Sequence, residues 1–391
     1  MDRRTNQILF ALLRSAVSGE KLTDKEHSIY TPDLASDLLK LAAKHDLAHL
    51  LALGLKKNNL ISQENAGVEK NILTAVYRYE RLEYDYVNLC NTLESAQIPF
   101  LPLKGSVLRN YYPEAWMRTS CDIDILVCKE DLDRAVSVLV DTQGYISEGY
   151  TYNEKGAHDI SLFSPSKVHL ELHFDLIEDG LANESSKVLR SVWDDATLRN
   201  GYAFWHEMSD ALFYFYHIAH MAKHFENGGC GIRPFIDQWI LDNMQQANVE
   251  KRRKLLTQGG LLEFAERAQK LSRVWFEGEK CDTLSQQMEN YLLYGGVYGN
   301  YKNRVFVQQQ KQGGRLHYVL SKMFLPYSKL KVHYPVLEKH PWLTPFMEIR
   351  RWLKLLFGGH VKRIQEELQH DGNVSGVGDS DAKAFLKNIG L

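Results

Sequence analysis

The stretch "CDIDILV", residues 121–127, limits the possible folds more tightly than any other part of the chain. Asp122 and Asp124 alternate with Ile123 and Ile125, and Leu126 and Val127 extend the apolar run. Side chains alternate across a strand, so both carboxylates point to one face and both isoleucines to the other. Two like charges a few ångströms apart repel, and burying either without a partner is costly. The pattern therefore asks for a cation between the acids, and a divalent metal is the economical choice. It also implies that replacing both acids by Asn should leave the metal-free protein at least as stable.

A second strand supplies a third acid. In "KVHLELHFDL", residues 167–176, Val168, Leu170, Leu172 and Phe174 form one face. Lys167, His169, Glu171, His173 and Asp175 form the other. If this strand lies beside the first, Asp122, Asp124 and Glu171 converge on one sheet surface. Glu171 stands mid-strand and Asp175 nearer the strand's end, so Glu171 is the expected third ligand. Upstream, Lys104-Gly105-Ser106 joins an apolar strand to a short helix. Glycine permits close approach of backbone to a ligand, and a helix start offers unpaired N–H groups. Alone, such a tripeptide reads as a tight turn; beside three acids it suits a phosphate. Three carboxylates, a phosphate turn and room for two Mg²⁺ ions are what nucleotidyl transfer needs.

The wider chain is compatible with an enzyme. Its 391 residues are 44% apolar and 25% charged, with a net charge near −2. That balance gives no electrostatic footprint for bulk nucleic acid. No run approaches the roughly 18 apolar residues of a membrane span. The basic, apolar start reads as an amphipathic helix, because Leu9, Leu12, Leu13 and Val17 recur at helical spacing. Five cysteines without paired spacing read as reduced thiols, and the expected location is cytoplasmic.

The periodicity predicts an α+β fold: a small mixed sheet flanked by helical regions. The boundaries are a helical region over 1–95, an α+β core over 96–180, a helical domain over 181–370 and a flexible tail over 371–391. Asp24 and Thr31 read as helix caps, Gly144 as a helix end, and Ser164-Pro165-Ser166 as a turn between two strands. In "HIAHMAKHF", His217, His220, Lys223 and His224 share roughly one helix face. A polar face lining a cleft is the better reading of that cluster than a zinc site. Lys223, Arg233 and Asp237 are candidates to touch nucleotide or acceptor, with no role assigned. Tyr111 and Tyr112 read equally as base-stacking or buried.

The arrangement "LKGS", "YY", then R-x-S-x-D-I-D-I-L-V, followed by "VHLELHFDL", resembles the nucleotidyltransferase superfamily of DNA polymerase beta and kanamycin nucleotidyltransferase. More narrowly it is similar to a bacterial group known as uncharacterised nucleotidyltransferases. That similarity extends through "HIAHMAKHFENGGCGIRPFIDQWIL" and the stretch beginning "MFLPYSKLK". The resemblance implies transfer of a nucleoside monophosphate from an NTP, ATP foremost, to an unidentified acceptor, with release of pyrophosphate. It implies Mg²⁺, with Mn²⁺ as the substitute, held by Asp122, Asp124 and Glu171. Lys104, Gly105, Ser106 and Arg118 would bind the nucleotide's phosphates. The alternative is a module of the same fold that binds without catalysis. A Glu stands where the superfamily's third acid is usually Asp.

Overall fold

The computed structural model describes residues 3–62, 64–147, 158–177, 183–293, 336–357 and 381–391, with Leu325, Tyr327, Leu330 and Tyr334. Helices α1 (Arg3–Ser18), α2 (Asp24–Ile29), α3 (Leu34–Lys44) and α4 (Ala48–Lys57) open the chain. Leu9, Leu12, Leu13 and Val17 of α1 are all buried, as their spacing requires. Thr23, rather than Asp24, caps α2. Its hydroxyl accepts the Glu26 N–H while the Glu26 carboxylate accepts the Thr23 N–H, a reciprocal capping box. Thr31 contributes only its carbonyl ahead of α3, where Asp33 is the cap residue. Helix α5 (Ala66–Ser95) begins at Asn65, whose side chain accepts from the N–H groups of Gly67 and Val68.

The chain then builds β1 (Phe100–Pro102), α6 (Lys104–Leu108), β2 (Asp122–Val127), α7 (Leu132–Gln143), β3 (Ile146–Ser147), β4 (Asp159–Phe163) and β5 (His169–His173). Helix α7 ends at Gly144, whose φ of 69° is the left-handed backbone that glycine adopts without strain. The strand order is β1-β2-β5-β4-β3, with β2 parallel to β5 and the other pairs antiparallel. The fold is α+β, a small mixed sheet with helices around it, as the sequence predicts. Between β4 and β5, the hydroxyls of Ser164 and Ser166 donate to Asp85 of α5 at 2.7 and 2.5 Å, which pins the turn to that helix.

One face of the sheet is apolar. Ile123, Ile125, Val127, Ile160, Leu162, Leu170 and Leu172 pack with Leu82, Leu89 and Leu93 of α5 and Leu132 and Leu139 of α7. After the short helices α8 (Asn183–Leu189) and α9 (Val192–Asp195), the chain forms α10 (Asp210–Glu226) and α11 (Arg233–Asp242), towards which the acid-bearing face of the sheet looks. Those helices belong to a second core with α12 (Val249–Gln258), α13 (Leu262–Phe276) and α14 (Thr283–Leu293), which the N-terminal helices share. Phe10 of α1, for example, stacks on Trp275 of α13 with ring centroids 4.2 Å apart. Residues 371–380 of the expected tail lie outside the described residues. From Asp381 the chain departs from a loose tail: it forms a helix to Asn388, and Phe385 and Ile389 are buried in the helical core. Among the described residues, no helix is long and apolar enough to cross a membrane.

Candidate active site

Strands β2 and β5 pair in parallel, with Asp122 opposite His169 and Asp124 opposite Glu171. The alternation within each strand and this register put Asp122, Asp124, His169, Glu171 and His173 on one face. Strand β4 extends the face, with Asp159 opposite His173 and Ser161 opposite Glu171. The Ser161 hydroxyl lies 3.1 Å from His169 Nε2. Above the face opens a cleft of about 370 Å³, closed on its far side by α10, α11 and the glycine turn between them. In that turn Gly228, Gly229 and Gly231 have φ of 113°, 122° and 72°, backbone that residues with a Cβ rarely adopt.

The cation that the acid pair demands is in part already present. Lys104 Nζ stands 2.7 Å from Asp124 Oδ1 and 3.5 Å from Glu171 Oε2. Lys104 takes a φ of 43°, a strained conformation for a residue with a Cβ. His173 Nε2 adds a second contact to Asp124 at 3.1 Å and one to Glu171 at 3.5 Å. The two aspartates therefore differ. Burial raises the Asp122 carboxyl above its ordinary pKa, and the negative charges of Asp124 and Glu171 push it the same way. Burial acts equally against Asp124, but the Lys104 ammonium and the His173 hydrogen bond outweigh it and hold that carboxyl far below the usual range. Glu171 is lowered, chiefly by its hydrogen bond to His173. Burial opposes the charge on Lys104, yet Asp124 and Glu171 keep its pKa well above the ordinary value.

The donor set fits a divalent cation. Asp122, His169 and Glu171 each offer a ligand atom within 4.8 Å of the other two, and so do Asp124, Glu171 and His173. Carboxylate oxygens suit Mg²⁺ and Mn²⁺. Asp122, the acid whose charge is least compensated, gains most from such an ion.

Of the nucleotide-binding candidates, Lys104, Gly105 and Arg118 line the cleft with the three acids. A Cβ at Gly105 would lie 3.1 Å from Ser120 Cβ and 3.2 Å from its hydroxyl, so glycine leaves little spare room there. Ser106 is buried, and among the described residues its hydroxyl meets no hydrogen-bond partner. Arg118 is held by a buried partner from α11: its Nε donates to Asp237 Oδ1 at 2.7 Å, and the Tyr112 hydroxyl donates to the same oxygen at 2.7 Å. Tyr112 is thereby buried structure, while Tyr111 is partly exposed. Arg233 donates to the Thr119 carbonyl at 2.5 Å and to Asp46 at 3.2 Å. His217, His220, Lys223 and His224 line the cleft opposite the acids. His220 and His224 Nε2 lie 3.1 Å apart, and burial, helped by Lys104 and His224, pushes His220 well below its ordinary pKa.

Sequence reasoning put His169 and His173 on the acid face without giving either a task. It missed Asp159 and Tyr216, and it included Ser120 in the R-x-S-x-D pattern without giving it a role; all three line the cleft. The signal for His173 was its place two residues beyond Glu171, and for Ser120 its place between Arg118 and Asp122 in the quoted motif.

Residues 32–277 match the family model described as "Uncharacterised nucleotidyltransferase". The matched span contains the glycine turn, the three acids and α10 to α13, and stops before the stretch that begins at Met323. No curated protein and no solved structure matches the chain.

Proposed function

The chain belongs to the uncharacterised nucleotidyltransferase family, and on that premise we propose that it moves a nucleoside monophosphate from an NTP, ATP included, to a hydroxyl-bearing acceptor and releases pyrophosphate. Nucleotidyl transfer is the family's activity; donor base, acceptor and site roles are the proposal. The observation that carries it is the β2–β5 register, in which Asp124 stands opposite Glu171 with Asp122 two residues away on the same face of a deep cleft.

Asp122, Asp124 and Glu171 would hold Mg²⁺ or Mn²⁺, which when bound neutralises the triphosphate and the developing pyrophosphate charge. Glu171 would accept the proton of the acceptor hydroxyl. The hydroxyl oxygen forms its bond to the α-phosphorus as the bond from that phosphorus to the β-phosphate's bridging oxygen breaks. Pyrophosphate departs with that electron pair. Lys104, released from Asp124 as the acids gain another cation, would turn to a phosphate. Arg118, aimed by Asp237, and the N–H groups at the start of α6 would hold the remaining phosphate oxygens. The free thiols Cys90, Cys121, Cys128, Cys230 and Cys281 fit a cytoplasmic setting.

The test is incubation of the purified chain with each of the four α-labelled NTPs, Mg²⁺ and cell extract. Label on an acceptor together with pyrophosphate is expected from wild type and not from Asp122→Asn. Mg²⁺-dependent stabilisation by NTP without pyrophosphate or label from any nucleotide would overturn the reading in favour of a binding module.

A further inference from the structure

At the β4 side of the acid face, a second set of donors converges around His173, and two of them, His158 and Asp159, have no part in the transfer reaction. Asp159 of β4 is the antiparallel partner of His173, so their side chains share a face. His158 is fixed beside them, because its carbonyl accepts the N–H groups of Phe174 and Asp175 at 2.9 and 3.3 Å. Its ring stacks near that of His173, with centroids 5.9 Å apart and planes 25° from parallel. One ligand atom from each of His158, Asp159 and His173 lies within 4.8 Å of the other two. Ligands on one ion at about 2.1 Å stand roughly 3–4 Å apart, so a small closure would bring all three onto a cation.

The two nitrogens of His173 are treated differently. Nε2 faces the Asp124 carboxylate at 3.1 Å. Among the described residues, Nδ1 meets no hydrogen-bond partner, although His173 is only 1% exposed. A neutral imidazole whose Nε2–H goes to the Asp124 carboxylate would offer its Nδ1 lone pair to a metal, with the carboxylate fixing that tautomer. Two imidazoles and one carboxylate are donors for Zn²⁺ and its transition-metal neighbours rather than for Mg²⁺, which prefers oxygen.

We propose that His158, Asp159 and His173 form a zinc-class metal site, separate from the three-carboxylate site and joined to it through the hydrogen bond from His173 to Asp124. A cation on His173 strengthens its Nε2–H as a donor and makes Asp124 a weaker ligand for a second ion. By reciprocity, Zn²⁺ and Mg²⁺ weaken each other's binding.

The site is tested by calorimetric titration of Zn²⁺ into the metal-stripped full-length protein, with excess Mg²⁺ present. Wild type is expected to take up one Zn²⁺. His158→Gln and Asp159→Asn, both half-buried positions, should each weaken that uptake at least tenfold without changing the melting temperature of the metal-free protein by more than a few degrees. Asp122→Asn should retain it. No Zn²⁺ uptake by wild type, or uptake unchanged in both His158→Gln and Asp159→Asn, would overturn the proposal. Loss of uptake in Asp122→Asn alone would place zinc on the three carboxylates and overturn it equally. Since Zn²⁺ binding is the readout, failure here leaves nucleotidyl transfer standing, and absence of transfer leaves this site standing.

Discussion

On the side of the sheet that meets α5 and α7, strands β2 and β5 present Ile123, Ile125, Leu170 and Leu172, each fully buried. On the side that meets α10, the same strands present Asp122, Asp124, His169, Glu171 and His173. Neighbouring residues in one strand thus live in opposite environments. Stability belongs to the first face, where each apolar side chain removed leaves a cavity. The second face carries charge that the fold tolerates only with partners, and it is the face where chemistry is possible. Even within it the partners are unevenly shared: Asp124 has Lys104 and His173, and Asp122 has like charges nearby.

That unevenness corrects the expectation that the two aspartates merely repel. Asp124→Asn should have the largest effect of all. Transfer should fall by at least about 1,000-fold, about 4 kcal/mol in the barrier. The metal-free protein should also lose about 3 kcal/mol, because Lys104 and His173 lose their nearer anion and keep only Glu171, 3.5 Å from each. Asp122→Asn should lose as much activity and no stability, since it removes a charge that burial and two neighbouring acids disfavour. Thermal melts without metal, beside pyrophosphate-release assays, separate the two. Equal melting temperatures for the variants would mean that the Lys104–Asp124 ion pair is not formed in solution. The double Asn variant should follow Asp124→Asn and melt below wild type.

Leu172→Ala tests the apolar face one residue from Glu171. Truncating a fully buried leucine should cost about 2–5 kcal/mol in denaturant titrations. Transfer by the remaining folded protein should stay within a few-fold of wild type. A variant of normal stability would show that α5 and α7 do not cover this face. Gly105→Val should have a smaller effect. The new Cβ meets Ser120 at 3.1 Å and narrows the start of α6, so ATP affinity should fall roughly tenfold, about 1.4 kcal/mol. Unchanged affinity by calorimetry would remove this turn from the phosphate site.

The acid face was legible because a period of two is written directly into "CDIDILV" and "KVHLELHFDL". Alternation assigns a residue to a face, whatever the partner turns out to be. It does not report which residues arrive from elsewhere. Lys104 looked like a phosphate ligand, and only the left-handed backbone at its position turns it onto Asp124. Asp237 fixes Arg118 across 119 positions, and Asp46 meets Arg233 across 187, separations at which periodicity carries no information. The shared core of the N-terminal and later helices was hidden for the same reason: amphipathic spacing shows that a helix buries one side, not what it buries that side against.

The smallest effect is expected at the end of the strand that supplies Glu171. By alternation alone Asp175 belongs to the same polar face as Glu171, two repeats farther along. Strand β5 stops at His173, however, and Asp175 is exposed beyond it. Its Oδ1 accepts the Ile177 N–H at 2.9 Å, a local turn contact that the Asn carbonyl oxygen can also make. Asp175→Asn should therefore change stability by no more than about 0.5 kcal/mol and leave transfer within about twofold of wild type. Glu171→Gln, by contrast, keeps the shape of its side chain but removes the negative charge opposite Asp124, and transfer should be abolished. Parallel assays of the two variants compare residues that share a strand pattern but differ in whether the strand still exists where they stand. Equal losses in both, or the greater loss at Asp175, would move the third acid from Glu171 to Asp175 and shift the cation site towards the end of the sheet.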